Sequence, residues 1–240
     1  MLRPFLLACL LAAPAGAWER RLIDAADAEP YRGVGRLNIA GTRFCTATLI
    51  SPRLIVTAAH CLYHPRTGAR VPLGEFRFVA GLRRGEVAAL AKPVRAVAHP
   101  DFVFGAPDLA DVGADLALLE LDADIPASAA VPFAIGTPDG GPLTIVSYRR
   151  GRGQVATAQG PCAPIAAAGA VLTLDCVVTY GISGGPVLAG AGADARVVAV
   201  VSAMGRASGD RDVALTVLVE PALDGLLAAL AEAEVAPPNR

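Results

Sequence analysis

Thr57-Ala58-Ala59-His60-Cys61 ends an apolar, strand-like run, and Gly181-Ile182-Ser183-Gly184-Gly185-Pro186 follows far downstream. A serine hydroxyl is a weak nucleophile until a base takes its proton. Histidine, with an ordinary pKa of about 6.5, suits that task near neutral pH. Glycines beside a serine permit a sharp turn that aims backbone N–H groups at one point, as a developing oxyanion requires. The two segments together predict acyl transfer by a serine nucleophile.

The rest of the chain shows a regular strand pattern. Short apolar runs recur between Gly, Pro and Asp residues, a spacing typical of an all-β sandwich or barrel. The predicted strands are 33–39, 46–50, 54–58, 76–80, 117–121, 143–148, 171–174, 186–188, 197–202 and 214–219. The stretch 122–132, with two prolines, is the predicted linker between halves. Leucines at helical spacing predict a C-terminal amphipathic helix over 220–234, with Pro221 in its first turn.

Both opening segments, in this order, resemble the trypsin/chymotrypsin family of serine peptidases. The stretches Gly35-Arg36-Leu37-Asn38-Ile39 and Phe44-Cys45-Thr46-Ala47-Thr48-Leu49-Ile50 look especially like the bacterial branch that contains the glutamyl endopeptidases. The resemblance extends from about Arg32 to the last helix. It implies an all-β fold of two six-stranded antiparallel β-barrels with the active site in the cleft between them, followed here by the C-terminal α-helix.

The N-terminus has the features of a secretory signal. Arg3 precedes an apolar run, and Ala15-Gly16-Ala17 is a small-residue cleavage site. The run is too short to anchor the chain in a bilayer. Cys9 admits a lipoprotein interpretation, but the apolar run continues past it. We therefore expect a signal peptide at 1–17, an N-terminal segment or propeptide at 18–30, a first barrel at 31–125, and a second barrel with the helix at 126–240.

Composition narrows the partners and the compartment. The chain has 240 residues, a net charge of −1 and no basic block, so a nucleic-acid partner has no electrostatic support. We expect a secreted or periplasmic monomer, without a membrane anchor or cofactor, that acts on protein or peptide substrates.

The cysteines indicate disulfides. Without Cys9 four cysteines remain, an even set in an exported chain, and three pairings are open. Cys45–Cys61 and Cys162–Cys176 are favoured because they close short loops, one in each half, and the resemblance implies a bridge at the histidine loop. A metal site is the alternative, but the chain lacks a CxxC pair, so no metal is predicted.

His60 is the predicted general base and later the general acid to the leaving amine. The chain has three histidines. His64 and His99 each precede a proline in a predicted loop, where solvation explains them.

Asp115 is the predicted partner of the His60 ring, because the base needs a carboxylate to fix its tautomer. It opens an apolar strand, where a buried carboxylate is costly unless it is paired. The competing aspartates, Asp101, Asp108 and Asp111, lie in a loop rich in Pro and Gly.

Ser183 is the predicted nucleophile, and the N–H groups of Gly181 and Ser183 form the predicted oxyanion hole; an ordinary Gly-rich turn is the alternative. The order His60, Asp115, Ser183 is that of chymotrypsin. Ser202 resembles the family serine that donates a hydrogen bond to the catalytic aspartate. A strand-end serine satisfied by the backbone is the equal alternative.

The residue before the nucleophile departs from the family pattern. Ile182 stands where trypsin-like members have the aspartate that receives the N-terminal ammonium after propeptide cleavage, so activation must work differently. Arg20-Arg21 and Arg32 remain candidate processing sites.

The predicted substrate pocket contains no acidic residue at Val177, its base, and Val201 stands where glutamyl endopeptidases have a histidine. An apolar or small side chain is the remaining expectation. The pocket residues are Val177, Val178, Tyr180, Ser202 and Met204.

Three functions remain open. The leading hypothesis is an exported serine endopeptidase that works through the triad and an acyl-enzyme. The second is a catalytically idle binding protein on the same fold, which Ile182 keeps open. The third, an esterase on another fold, is disfavoured by the residue order.

Overall fold

This computed structural model describes residues 18–105 and 108–234, so the predicted signal peptide and Cys9 lie outside the described residues. Sixteen strands occur in the described part: β1 (Glu19–Leu22), β2 (Val34–Ile39), β3 (Arg43–Ser51), β4 (Leu54–Thr57), β5 (Phe76–Ala80), β6 (Ala89–Ala91), β7 (Pro93–Ala98), β8 (Ala117–Leu121), β9 (Ala134–Ile135), β10 (Leu143–Ser147), β11 (Thr157–Cys162), β12 (Pro164–Ala168), β13 (Val171–Leu174), β14 (Pro186–Ala189), β15 (Arg196–Ala207) and β16 (Arg211–Leu218). Two α-helices accompany them, α1 (Leu109–Gly113) and α2 (Glu220–Glu232).

The strands form two sheets. The first has seven strands in the order β6-β5-β2-β3-β4-β8-β7, and the second has nine in the order β1-β11-β10-β14-β15-β16-β13-β12, with β9 added to β15. Every pair is antiparallel except β9 with β15. The predicted all-β fold with two barrel sheets and a C-terminal helix is therefore confirmed. The strand numbers exceed six because short strands such as β6 and β9 extend the sheets.

All ten predicted runs fall on strands, and the predicted helix is α2. The strands that the sequence pattern did not reveal are β1, β6, β7, β9, β11 and β12. Most of them are short, and β12 is largely alanine, which has a weak preference for strands. The pattern also missed α1, which has only five residues.

The continuous apolar strands are explained by burial on both faces. Ala117, Leu119 and Leu121 of β8 lie in a core cluster within the first sheet, whereas Leu118 lies in a second cluster between the two sheets. Side chains alternate along a strand, so a strand between two cores must be apolar at nearly every position. A third cluster fills the second sheet and includes Ile182 and the Cys162–Cys176 pair.

The chain passes from β8 to β9 without helix or strand, where the linker is predicted. Ile125 and Ala130 of this connection are buried in the first cluster.

Near the N-terminus, β1 lies at the edge of the second sheet and pairs with β11. The segment 18–30, predicted as an N-terminal segment or propeptide, contributes a strand to the second sheet.

Two disulfides join Cys45 to Cys61 and Cys162 to Cys176. These are the pairings that the sequence favours, with one in each half of the chain. Neither helix among the described residues is long and apolar enough to cross a membrane.

Helix α2 covers the cluster between the sheets. Leu226 is 1% exposed and Leu230 is 4% exposed, whereas Leu227 is 37% exposed on the other side of the helix. We expect Leu226→Ala to lower the free energy of unfolding by about 2–5 kcal/mol, because it leaves a cavity in a packed core. Leu227→Ala is the matched control, and it should lower the free energy of unfolding by well under half of that amount. Urea denaturation measures both, and equal effects would show that α2 does not bury this face.

Candidate active site

His60 lies where the first sheet meets the cleft. It follows β4 in a short 3-10 turn, Ala59–Leu62, whose neighbours Ala59, Cys61 and Leu62 are buried. The Cys45–Cys61 disulfide ties this turn to β3. The His60 side chain remains 31% exposed. The backbone is thus fixed by burial and by the disulfide while the ring reaches solvent.

Asp115 is buried beside His60. The Asp115 Oδ1 atom accepts the His60 backbone N–H at 2.7 Å, and Oδ2 lies 2.6 Å from His60 Nδ1. The Ser202 hydroxyl donates to the same Oδ2 at 2.5 Å. Asp115 is 4% exposed, and each of its oxygens has a donor. The carboxylate therefore meets the condition under which a buried charge is tolerated.

These contacts set the charge of the Asp115–His60 pair. Burial acts to raise the pKa of Asp115, but attraction to His60 and hydrogen bonds from His60 and Ser202 outweigh it and hold the pKa below its ordinary value. An ionised carboxylate only accepts hydrogen bonds, so His60 Nδ1 must carry the proton. In the neutral ring with this tautomer, His60 Nε2 is the nitrogen that can accept a proton from a nucleophile.

Ser183 lies in a loop that only glycine permits. Gly181 and Gly184 have φ angles of +90° and +75°. A Cβ on Gly184 would lie 2.1 Å from Thr57 Oγ1 and 2.2 Å from the Thr46 carbonyl oxygen. The loop thus packs directly against the first sheet.

The backbone of this loop leaves two donors unused. Within residues 18–105 and 108–234, neither the Gly181 N–H nor the Ser183 N–H donates to a protein acceptor. Unpaired N–H groups beside a nucleophile are what an oxyanion hole supplies.

The three predicted triad residues line one cleft of about 670 Å³, together with Gly181 and Ser202. The Asp115–His60 contact is formed. No hydrogen bond connects Ser183 Oγ to His60 within the described residues, and His60 Nε2 instead lies 3.7 Å from Cys61 Sγ. Nucleophile–base hydrogen bonds are often long without substrate. The structure thus places His60, Asp115 and Ser183 at one cleft. The Asp115–His60 contact is formed, and the Ser183–His60 hydrogen bond is not formed among the described residues.

Four of the five predicted pocket residues, Val178, Tyr180, Ser202 and Met204, line this cleft. Tyr180 is 63% exposed and Met204 is 56% exposed. Val177 does not line it; its carbonyl instead accepts Arg20 Nη2 at 2.5 Å. Phe102, Val103 and Phe104 add an apolar wall from the first half of the chain.

The competing residues lie elsewhere or have other partners. His64 and His99 do not line the cleft. Asp111 does, but its side chain caps the start of α1 by accepting the backbone N–H of Asp108. The ligand atoms of Cys45, His60 and Cys61 lie within 4.8 Å of one another, but both sulfurs belong to a disulfide and offer no thiolate to a metal.

Two residues near the site escaped the sequence analysis. Thr46 donates from its hydroxyl to the Gly181 carbonyl at 2.9 Å, and Arg20 holds both Gln159 Oε1 and the Val177 carbonyl. Burial, followed by repulsion from Arg149, lowers the pKa of Arg20. The sequence placed Thr46 in a stretch that resembles the family and Arg20 at a candidate processing site, but it did not reveal these roles, since they depend on contacts distant in sequence.

Comparison with known proteins identifies the family of this chain. A family model described as a trypsin-like peptidase domain matches residues 45–200, more than half of the chain. This range includes His60, Asp115 and Ser183. The chain therefore belongs to the trypsin-like peptidase family, and it is a serine endopeptidase by class.

Solved structures with this fold include a thermostable serine protease from an extremophilic microorganism. It shares 17% identity at a TM-score of 0.66, over 84% of this chain and 98% of the other. A Glu endopeptidase shares 18% identity at a TM-score of 0.68, over 88% of this chain and 96% of the other. Structural similarity at 17% and 18% sequence identity shows that these proteins share the fold of this chain.

The depressed pKa of Asp115 predicts a pH dependence of stability. The ionised carboxylate stabilises the folded state above the ordinary value of 3.8, and this stabilisation is lost as the pH falls through the lower folded-state pKa. At pH 7 we expect wild type to exceed Asp115→Asn by about 1–3 kcal/mol in unfolding free energy. The difference should shrink below the ordinary value. Urea denaturation across the acid range measures it, and a constant difference would contradict the assignment.

Proposed function

We propose that this peptidase is exported and hydrolyses protein or peptide substrates through Ser183, His60 and Asp115. The observation that carries the proposal is the buried Asp115 carboxylate, bonded to His60 and Ser202 at the cleft that also exposes Ser183. His60 Nε2 takes the Ser183 proton while Ser183 Oγ attacks the scissile carbonyl. The Gly181 and Ser183 N–H groups stabilise the oxyanion.

The remaining steps follow from the same groups. The imidazolium at His60 donates its proton to the leaving amine, which leaves an acyl-enzyme on Ser183. Water, activated by His60, then attacks the acyl carbon and releases the second product. Asp115 keeps the ring oriented and stabilises the imidazolium throughout.

The wall of the cleft supports a preference for an apolar or small side chain. Val178, Tyr180 and Met204 line it from the second half of the chain, and Phe102, Val103 and Phe104 line it from the first half. Burying an apolar side chain there would remove apolar surface from water. The acidic side chains that line the cleft within the described residues, Asp111 and Asp115, are both occupied by other contacts.

Export is supported by two features. The first 17 residues have the pattern of a secretory signal, and two disulfides point to an oxidising compartment. We propose that residues 18–30 stay with the mature enzyme, because β1 pairs with β11 and Arg20 donates to the carbonyl of Val177, the neighbour of the cleft residue Val178.

A catalytically idle binding protein is the second candidate. The observation that favours it is the absence, among the described residues, of a hydrogen bond between Ser183 and His60. A serine-reactive fluorophosphonate separates the two candidates. Labelling confined to Ser183 supports the peptidase, and unlabelled folded protein supports the binding protein.

Ser183→Ala and His60→Ala should each lower kcat by roughly 10⁴–10⁶-fold, with non-additive effects in the double variant, because the two act as a unit. Asp115→Asn should cost about 10⁴-fold by misorienting the ring. His64→Ala, a loop histidine outside the cleft, is the control and should match wild type. Hydrolysis of labelled casein and of a peptide library measures these rates. Near-normal turnover by Ser183→Ala would refute the proposal.

Activity should not depend on a free N-terminal ammonium beside the nucleophile. Ile182 is 1% exposed, lies in the third core cluster and offers no carboxylate to such an ammonium. A protein that carries one or two extra residues before Trp18 should retain most of its turnover. Comparison with protein that starts at Trp18 measures this. Loss of activity with the extension, and its return after removal, would show that the N-terminus is a switch.

A further inference from the structure

Thr46 on β3 makes two hydrogen bonds to the nucleophile loop and one to Tyr148. Its backbone N–H donates to the Ser183 carbonyl at 2.8 Å, and its hydroxyl donates to the Gly181 carbonyl at 2.9 Å. The same hydroxyl accepts the Tyr148 backbone N–H at 3.0 Å. Thr46 is fully buried, so these bonds form without competition from water.

The position of these bonds decides which way the loop faces. Glycine has no side chain to restrict its torsion angles, so the peptide unit between Gly181 and Ile182 can turn unless something holds its carbonyl. The Thr46 hydroxyl holds that carbonyl inward, and the Thr46 N–H does the same for the carbonyl of the next peptide unit but one, between Ser183 and Gly184. These two held units flank the one that carries the Ser183 N–H, and the first of them also adjoins the one that carries the Gly181 N–H. The N–H groups of Gly181 and Ser183 then remain unpaired.

We propose that Thr46 is a positioning residue that holds the oxyanion loop in its catalytic conformation. This inference rests on the proposed function of Ser183. Because Ile182 has no carboxylate, an ion pair with an N-terminal ammonium cannot hold this loop. A neutral hydrogen bond from the first sheet holds it instead. The hydroxyl acts from β3, next to Cys45, whose disulfide also fixes the His60 turn.

The same strand provides a matched control. Thr48 lies two residues along β3, is equally buried, and its hydroxyl has no hydrogen-bond partner within the described residues. Side chains two apart on a strand lie on the same face, and valine has nearly the shape of threonine. Thr46→Val and Thr48→Val therefore make the same chemical change, but only the first removes a hydrogen bond to the loop.

The test is the kinetics of three variants on one fluorogenic peptide. Thr46→Val should lower kcat by about 10–100-fold, part of the roughly 10²–10³-fold that an oxyanion-hole donor supplies. KM should change by less than about threefold, because the lost interaction acts in the transition state. Thr46→Ser keeps the hydroxyl and should retain most of the activity. Thr48→Val should match wild type.

A second readout separates positioning from a general loss of structure. A peptide aldehyde forms a hemiacetal with the serine and places its oxygen in the oxyanion hole. Its inhibition constant should rise in Thr46→Val by about the same factor as kcat falls. Affinity for a cleaved product peptide should remain unchanged.

Hydrogen–deuterium exchange tests the loop without relying on turnover. Peptides that cover residues 145–152 and 177–188 should exchange faster in Thr46→Val than in Thr48→Val, because the Tyr148 N–H and the Gly181 carbonyl lose their partner. Equal exchange and equal kcat in the two valine variants would overturn the inference. Absence of turnover and of fluorophosphonate labelling in the wild-type protein would instead refute the proposed function. The exchange result would still decide the role of Thr46.

Discussion

The structure depends on a buried carboxylate at the junction of the two sheets. Asp115 is almost fully buried, and a charge in such a place is tolerated only with close donors. Its donors come from both halves of the chain, His60 from the first and Ser202 from the second. Satisfying this charge therefore fixes the histidine ring and requires the two sheets to meet in one arrangement.

The apolar cluster between the sheets supports the same junction. Val56 and Leu118 from the first sheet pack in one cluster with Val200 and Val217 from the second. Tyr148 crosses this region, and its hydroxyl donates to the Leu82 carbonyl at 3.0 Å. Burial raises the pKa of Tyr148 well above its ordinary value, so it stays a neutral donor. Tyr148 and Asp115 are thus buried polar residues at the junction whose side-chain oxygens have protein partners.

The surroundings of the nucleophile show how the chain departs from trypsin-like members. Ile182 joins an apolar cluster instead of receiving an ammonium, and Trp18 packs against that same cluster. Arg20 lies over the Trp18 ring, 5.4 Å from its centre, and reaches the Val177 carbonyl. Apolar packing around Ile182 and a hydrogen bond from Arg20 to the Val177 carbonyl therefore support the segment that leads to the nucleophile.

The sequence by itself determined the strand pattern and the candidate residues of the cleft. Apolar runs bounded by turn residues identified ten strands because local periodicity reflects burial on a pleated surface. Residues with special chemistry in distinctive neighbourhoods, such as His60 and Ser183, were also visible. Thr46 and Arg20 were not, since a hydroxyl or guanidinium gains its role from partners more than 100 residues away. Only the tertiary structure decided those contacts, because they form when two separately patterned sheets pack together.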